Sequence, residues 1–234
     1  MVVIKRKYVI PGDLITDKNY KPLSNVIKID DKIYSTRIGL AEITKEGVKV
    51  IPLSGPYIPK VNDLVIGKIV NYSAFAWEVD INSCFSAYLP AQNVFGKEFS
   101  TSKDALSKKL TIGDLILARI VSFDRTKDPI LSLVEQGLGK IFNGEIVRIT
   151  PMKIPRLIGK KGSMMKTIEK GTGTKLIIGQ NGVIVIKGEP QSILRAIEAI
   201  KMIEEGAHMQ DLTQKIRDFL GIREKEDEDG ETDQ

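Results

Sequence analysis

The residues best suited to chemistry lie together in the segment Ile158–Gly162, which has the sequence Ile-Gly-Lys-Lys-Gly. Glycine lets a backbone approach a ligand closely, because it has no Cβ and adopts φ angles that other residues avoid. A helix is predicted to begin near Ser163, and the first N–H groups of a helix are unpaired and attract anions. The two lysines between the glycines add positive charge. The segment therefore predicts a loop that binds a phosphodiester backbone.

Few other residues could support catalysis or metal binding. The chain has one cysteine, Cys84, and one histidine, His208, which are far apart in sequence. We expect Cys84 to be a small buried residue of a strand rather than a nucleophile. Asp124 and Asp128 could be imagined in a nuclease site, but no further acids accompany them to complete a metal site. We therefore predict no catalytic residue, no metal and no cofactor, and a protein that is not an enzyme.

The composition favours a protein with a polyanionic partner. The 234 residues carry a net charge of +5, but residues 224–233 contain seven acids, so residues 1–222 have a net charge of +10. A basic body attracts nucleic acid. No apolar run approaches the roughly 20 residues needed to cross a bilayer, and the first residues are too short and wrongly ordered for a signal peptide. We expect a cytoplasmic protein without a membrane partner.

The elements predicted around the Gly-Lys-Lys-Gly loop follow a definite order. They are a strand at 145–149, a helical turn at 156–158, a helix at 163–172, strands at 176–178 and 183–186, and a helix carrying Ile193, Ile197 and Ile200. Gly179-Gln-Asn-Gly182 is a hairpin turn signal between the last two strands. The order is β-α-α-β-β-α with the loop between the first two helices. A plain helix-turn-helix with a basic turn is the alternative.

This arrangement closely resembles a type I KH domain, over residues 140–222 when a helix predicted at 211–220 is included. In that family the G-x-x-G loop holds the backbone of about four nucleotides, and the bases lie in an adjacent groove. The groove would also include Ile168 and Ile178. The resemblance implies that RNA contacts come from Ile154, Arg156, Ile158, Gly159, Lys160, Lys161 and Gly162.

Residues 58–136 predict a five-stranded barrel of the OB type. The predicted strands are 61–71, 74–80, 84–89, 114–123 and 129–134, with a helical segment at 102–109. Four stretches resemble the S1 RNA-binding domain, namely Val65–Val70, Tyr72-Ser-Ala-Phe75, Ile112–Val121, and Asp124 followed by Ile130–Leu133. Ser73 replaces the usual glycine of that family, and Pro90 stands where many members have a stacking histidine. The barrel is also close to neutral, so we expect it to bind RNA weakly by itself.

The S1 resemblance implies a second set of RNA contacts. Phe75 matches the family's base-stacking position, and Trp77 is expected on the same strand face two residues later. Lys68, Arg119 and Arg125 could contact phosphates. Either aromatic ring could instead pack inside the barrel.

Residues 1–57 predict a small β domain with little core of its own. Hairpins are expected across Asp30-Asp31 and Glu46-Gly47, and no helix pattern occurs before residue 60. About 55 residues bury a modest area, so we expect this domain to be stabilised by a neighbour or partner. We predict that residues 223–234 form a disordered acidic tail. The fold class is mainly β with α+β.

The order of β domain, S1 barrel and type I KH domain resembles the RNA-binding cap subunit of the exosome, especially the archaeal form. Tyr8-Val-Ile-Pro-Gly-Asp13 also resembles that family's N-terminal hallmark. The resemblance implies a non-catalytic subunit that binds single-stranded RNA. Three copies would sit on a hexameric ring of RNase PH-like subunits, with the first domain docked on the ring and 3′-to-5′ degradation performed by the ring.

A transcription elongation or antitermination factor of the bacterial S1-KH-KH kind is the alternative. It would bind nascent RNA and RNA polymerase. Its KH domains occur as a pair and have the other topology, α-β-β-α-α-β, whereas one KH pattern of the first type is found here. The topology of the third domain therefore separates the two hypotheses.

Overall fold

The computed structural model describes residues 6–95, 109–206 and 211–222, and three successive folding units are visible in them. The first unit contains two three-stranded antiparallel sheets, in the orders β1-β5-β6 and β2-β4-β3. Their strands are β1 (Arg6–Val9), β2 (Leu14–Thr16), β3 (Val26–Ile29), β4 (Lys32–Ser35), β5 (Gly39–Ile43) and β6 (Val48–Pro52). Both predicted hairpins are confirmed, β3–β4 and β5–β6. Asp30 and Asp31 both have positive φ, as a tight two-residue hairpin turn requires.

The first unit has a small core and an apolar surface. Its main core cluster is Val9, Ala41 and Val50, with Ile15 and Val26 packed against it. Eight large apolar side chains of this unit are exposed, namely Tyr8, Ile10, Leu14, Leu23, Ile27, Ile29, Ile38 and Ile51. Exposed apolar side chains mark an interaction site where they adjoin one another, as Ile27 and Ile29 do on one face of β3.

The second unit is a closed five-stranded barrel, as the sequence predicted. Its strands are β7 (Leu64–Tyr72), β8 (Ala76–Asp80), β9 (Ser86–Pro90), β10 (Leu115–Ser122) and β11 (Ile130–Ser132). The order is β11-β9-β8-β7-β10, and pairing of β10 with β11 closes the barrel. A short helix, α1 (Gln92–Phe95), follows β9. The predicted helical segment 102–109 lies, apart from its last residue, outside the described residues.

The third unit has the predicted β-α-α-β-β-α order. It comprises β13 (Glu145–Arg148), α2 (Ile154–Ile158), α3 (Ser163–Thr172), β14 (Lys175–Ile178), β15 (Val183–Lys187) and α4 (Pro190–Glu205). The sheet order is β13-β15-β14. Helix α5 (Leu212–Leu220) packs back on this unit through Leu212, Ile216 and Leu220, which join its core. This contact confirms the expected position of the last helix.

The barrel and the third unit are joined more closely than the sequence division implied. Strand β12 (Gly139–Ile141) precedes β13 and pairs with the first residues of β10, so the barrel sheet has a sixth strand. The sequence division began the third domain at Lys140, within this strand. Across the junction, Val183 and Val185 of β15 pack against Ile66 of β7. The face of the KH-like sheet that carries no helices is therefore covered by the barrel at β15, whereas Ile146 of β13, opposite Val185, stays 44% exposed.

A single turn completes this junction through buried hydrogen bonds. Asn181, in the turn between β14 and β15, is fully buried. Its side-chain amide donates to the carbonyl oxygens of Ile66 and Ile81, each at 2.8 Å, and its side-chain oxygen accepts the Ile66 N–H at 3.3 Å. The neighbouring Gln180 accepts the Leu64 N–H at 2.8 Å. These contacts make the two units one packed body.

No helix in the described part of the chain is long and apolar enough to cross a membrane. The predicted acidic tail, residues 223–234, and His208 lie outside the described residues.

Candidate nucleic-acid interface

The Gly-Lys-Lys-Gly loop connects α2 directly to α3. The N–H of Gly159 donates to the carbonyl of Pro155 at 3.0 Å, which ends α2. Gly159 has φ of +73°, and a Cβ there would lie 2.8 Å from both the backbone nitrogen and the Cβ of Met164. Gly162 has φ of +80°, but a Cβ there would meet nothing within 4 Å. Gly159 is thus required by close packing, whereas Gly162 is required only by its backbone conformation.

Helix α3 begins at this loop with an open N-terminus. Gly162 is its N-cap residue, and no side chain caps the first turn. Lys160 and Lys161 are exposed beside it, with Lys161 itself at φ of +54°. Unpaired N–H groups and the helix dipole favour anions. The backbone N–H groups of the first turn and the ammonium groups of the two lysines can therefore bind the same phosphate. The helix start at Ser163 and the positive φ of both glycines agree with the sequence, whereas phosphate binding by the loop stays a prediction.

The prediction that Ile154 and Ile168 line the groove is wrong. Ile154 and Ile168 are buried in the core of the third unit, where the three helices meet the sheet, so neither faces an open groove. Ile158 and Ile178 are only partly buried and stay available for a groove. Arg156 is exposed on α2, close in sequence to the loop.

The aromatic residue in the barrel with the best position for stacking is Phe75, which is 61% exposed. It lies in the turn before β8, where the N–H of Ser73 donates to the carbonyl of Ala76 at 2.8 Å. The serine therefore forms the tight turn in place of the usual glycine. An exposed ring on a structured turn provides a flat apolar face on which a base can stack.

Two further tyrosines were missed by the sequence interpretation. Tyr72 and Tyr88 are 45% and 43% exposed and line a cavity of about 160 Å³ together with Glu78 and Asp128. In β9 the burial alternates, with Ala87 and Leu89 inside and Tyr88 outside. That alternation is the signal that could have identified Tyr88.

The predicted RNA contact at Trp77 is wrong. Trp77 is fully buried in the barrel core, its indole N–H donates to the carbonyl of Leu110 at 3.2 Å, and its ring lies 6.3 Å from that of Phe95. The error came from assuming that Phe75 and Trp77 share a strand face. Phe75 precedes the strand, so the alternation of side chains within β8 does not relate the two residues.

The three basic residues predicted in the barrel differ in their availability. Lys68 on β7 and Arg125 in the loop before β11 are exposed. The Arg119 Nε lies 2.8 Å from Glu135, and its Nη1 donates to the carbonyl of Asn62 at 2.9 Å. Arg119 would have to leave both partners to reach a phosphate, so its predicted RNA contact is less accessible than those of Lys68 and Arg125.

The groups considered for catalysis have other roles. Asp124 accepts hydrogen bonds from the hydroxyl and the N–H of Thr126, which hold the pKa of its carboxyl below its usual value. Such a carboxylate forms a turn rather than a metal site. Among residues 6–95, 109–206 and 211–222, no group of three or more potential metal ligands is found. The prediction that Cys84 is buried was wrong, because it is exposed just before β9 begins.

Comparison with known proteins follows the same three units. Residues 6–54 match the family model of the exosome RNA-binding protein RRP4 N-terminal domain, residues 57–142 the S1 domain of exosome complex component RRP40, and residues 144–202 the KH domain. Exosome complex component Rrp4 of Nitrosopumilus maritimus is 51% identical over 92% of this chain and 96% of its own length. The Thermofilum pendens protein of the same name is 43% identical over 93% of this chain and 94% of its own length.

One solved structure resembles the chain over most of its length. It is described as a putative exosome complex RNA-binding protein, with 39% identity and a TM-score of 0.65, covering 71% of this chain and 96% of that one. The three matched models and the identities over nearly the whole length agree with one another. The chain belongs to the Rrp4 family of exosome complex components, which are RNA-binding and not catalytic.

Proposed function

We propose that this chain is a cap subunit that binds single-stranded RNA and feeds it to a hexameric ring of RNase PH-like subunits for 3′-to-5′ degradation. Three copies would sit on one ring, in the cytoplasm. The observation that carries the proposal is the open G-x-x-G loop, with exposed lysines and an uncapped helix, on the same packed body as an S1 barrel.

The KH surface would hold the RNA backbone. Lys160 and Lys161 are exposed beside the first turn of α3, so a phosphate there meets two ammonium groups as well as backbone N–H donors. Charge-assisted contacts of this kind supply most of the affinity in sequence-independent binding. Bases would then lie against Ile158 and Ile178, with Arg156 nearby.

The barrel surface would add stacking contacts. Phe75 gives one exposed ring, and Tyr72 and Tyr88 give two more near the acid-lined cavity. Stacking of a base on an aromatic ring is worth roughly 1–3 kcal/mol and is tolerant of sequence. Lys68 and Arg125 would supply the phosphate contacts. Because the barrel and the KH unit form one body, an RNA that reaches both surfaces gains from both without ordering a linker.

The first unit would attach the chain to the ring. Its core cluster has three fully buried members, whereas eight large apolar side chains are exposed on it. Burying such side chains against another subunit would stabilise both the unit and the complex. The proposed domain division is therefore ring docking in residues 1–57, S1 in 58–136 and KH with its last helix in 140–222.

The transcription-factor alternative is not favoured by any feature of the structure. Its KH domains have the order α-β-β-α-α-β, whereas the third unit here runs β13-α2-α3-β14-β15-α4. The described residues contain one such unit and not a pair.

Two glycines at opposite ends of α3 provide a matched test. Gly162 and Gly173 both have positive φ and both have open space where a Cβ would be placed. Gly162→Asp puts a carboxylate at the proposed phosphate site, and we expect it to weaken binding of an unstructured oligonucleotide roughly tenfold. Gly173→Asp costs a similar backbone strain at the far end of the helix and should leave affinity within about twofold.

The measurement is fluorescence anisotropy of labelled RNA, with thermal unfolding of both variants as the control for folding. Equal affinity of the two variants would contradict the role of the loop. Gly159→Asp is a poor probe, because its Cβ would collide with the backbone of Met164 and destabilise the turn itself.

A further inference from the structure

Four exposed lysines lie on α3 and on the loop that precedes it. Lys160 and Lys161 are exposed in the loop, and Lys166 and Lys170 are exposed one helical turn apart, so they lie on one face of α3. We call these four residues the basic stripe. The one acid on α3, Glu169, is turned away, since its carboxylate accepts the Leu176 N–H at 2.8 Å.

The basic stripe has no charged partner in the described part of the chain. No ion pair or hydrogen bond joins its four ammonium groups to residues 6–95, 109–206 or 211–222. Four clustered like charges raise the local potential and attract a polyanion, whether RNA or a segment of protein.

The described chain ends close to one end of this stripe. A Cβ on Gly171, near the end of α3, would lie 2.8 Å from Leu220 and 2.9 Å from Ile222, so the last described residue packs on α3 at Gly171, which follows Lys170 in sequence. Gly162 is nine residues back along the helix, or about 14 Å at 1.5 Å per residue. The basic stripe therefore extends from the G-x-x-G loop to the last turn of α3, and the described chain ends against Gly171 of that same turn.

Residues 223–234 have the charge and the length to cover this surface. They contain seven acids, Glu224, Glu226, Asp227, Glu228, Asp229, Glu231 and Asp233, against two bases. Twelve residues extend to about 40 Å at most, well beyond the 14 Å needed. A segment tethered by so short a connection has an effective concentration in the millimolar range, so even a weak attraction is populated.

We propose that residues 223–234 dock along the basic stripe and compete with RNA for the G-x-x-G loop. The carboxylates would occupy the positions of RNA phosphates, so that RNA must displace the tail to bind. The competition rests on the proposed RNA-binding function of the loop, whereas the docking of the tail does not. The tail would thus keep weakly binding polyanions off the G-x-x-G loop, whereas a longer RNA, which makes more contacts, would displace it.

The first experiment compares RNA affinity in the full chain and in a full-length variant with all seven acids replaced by Asn or Gln. At about 50 mM salt we expect the neutral tail to tighten binding roughly threefold. The gain should vanish near 1 M salt, where charges are screened beyond about 3 Å. A tail with the same residues in shuffled order should behave as the natural one. Unchanged or weaker binding by the neutral variant would overturn the competition.

A variant cycle identifies the surface on which the tail acts. In a chain carrying Lys166→Gln and Lys170→Gln, neutralising the tail should change RNA affinity by less than twofold. In a control chain with Lys18→Gln and Lys45→Gln, exposed lysines of the first unit, the threefold gain should persist. If neutralising the tail raises RNA affinity equally in the stripe variant and in the control chain, the tail acts at another surface and the proposal is overturned.

Docking itself is measured without RNA. A carbodiimide, which joins carboxylates to lysines in direct contact, should link residues 224–233 mainly to the basic stripe, as mapped by mass spectrometry. Links distributed equally over lysines of all three units, or absent from the stripe, would overturn the docking. If the chain binds no RNA with either the natural or the neutral tail, while the natural tail still cross-links to the basic stripe, the proposed function fails and the docking stands.

Discussion

The buried amide of Asn181 provides a strong test of how the barrel and the KH unit are held together. Replacing it by alanine removes two donated hydrogen bonds, to the carbonyls of Ile66 and Ile81 at 2.8 Å, and one accepted from the Ile66 N–H at 3.3 Å. All of these groups lie in a region closed to solvent. The variant therefore leaves polar groups buried without their partners.

The expected cost follows from these partners. A typical hydrogen bond contributes about 0.5–1.5 kcal/mol to stability, and a buried group left unpaired costs about 1–3 kcal/mol. With two short bonds and one long one lost, we expect Asn181→Ala to lower the free energy of unfolding by about 3 kcal/mol. Gln180→Ala removes one exposed hydrogen bond, to the Leu64 N–H, which water can replace. We expect that control to cost less than about 1 kcal/mol.

The assay is urea unfolding followed by two signals. Trp77, the one tryptophan of the chain, lies in the barrel core and reports on the barrel by fluorescence. Circular dichroism at 222 nm reports mainly on the helices of the third unit. Both transitions should move to lower urea together in Asn181→Ala, because the lost bonds join the two units. A cost within about 0.5 kcal/mol of that for Gln180→Ala would refute the reasoning.

Three further predictions concern the aromatic residues and the first unit. Phe75→Ala should weaken RNA binding by roughly 1–3 kcal/mol in anisotropy titrations without changing thermal stability. Trp77→Ala should instead lower the free energy of unfolding by about 3–5 kcal/mol. The reverse pattern would contradict the assignment of Phe75 to base stacking and of Trp77 to the barrel core. Removing residues 1–54 should abolish co-purification with ring subunits while RNA binding persists, and retained association would refute ring docking through this unit. Burial, together with a hydrogen bond from its hydroxyl to Asp63, raises the pKa of Tyr57 well above its usual value. Absorbance at 295 nm should therefore show at least one of the six tyrosines still protonated until the chain unfolds, and the free energy of unfolding should fall as pH rises past about 10, since only the unfolded state then releases this proton. Ionisation of all six tyrosines before the chain unfolds would contradict the raised pKa of Tyr57.

Much of the fold could be predicted because its signals are local. Hairpin turns, alternation in strands and helical spacing placed the two hairpins of the first unit, the five barrel strands and the elements of the third unit from residue 145 onward. The two glycines around Lys160 and Lys161 located the loop. Strands β1, β2 and β12 and helix α1 were not predicted. The error at Trp77 arose where a turn interrupts the alternation between residues two apart. The misplacement of Ile154 and Ile168 in a groove arose because apolar spacing shows that a residue is buried but not which side of a helix faces a ligand.

The junction could not be predicted for a different reason. The bonds of Asn181 reach residues about 100 and 115 positions earlier in the chain. The sequence Gly-Gln-Asn-Gly predicts a tight turn whether or not anything packs against it. A local pattern therefore explains why the turn forms, and only the three-dimensional packing explains why its third residue is an asparagine.

The covered sheet of the KH unit limits how this chain could have been assembled in evolution. An isolated KH unit cut at residue 144 would expose Val183 and Val185, and a foreign KH unit fused to this barrel would leave Ile66 and the carbonyl of Ile81 uncovered. Recombination that exchanged one unit alone would thus yield a poorly soluble product. The barrel and the KH unit are expected to be inherited as a pair, whereas the first unit, attached at residues 53–59, is freer to diverge.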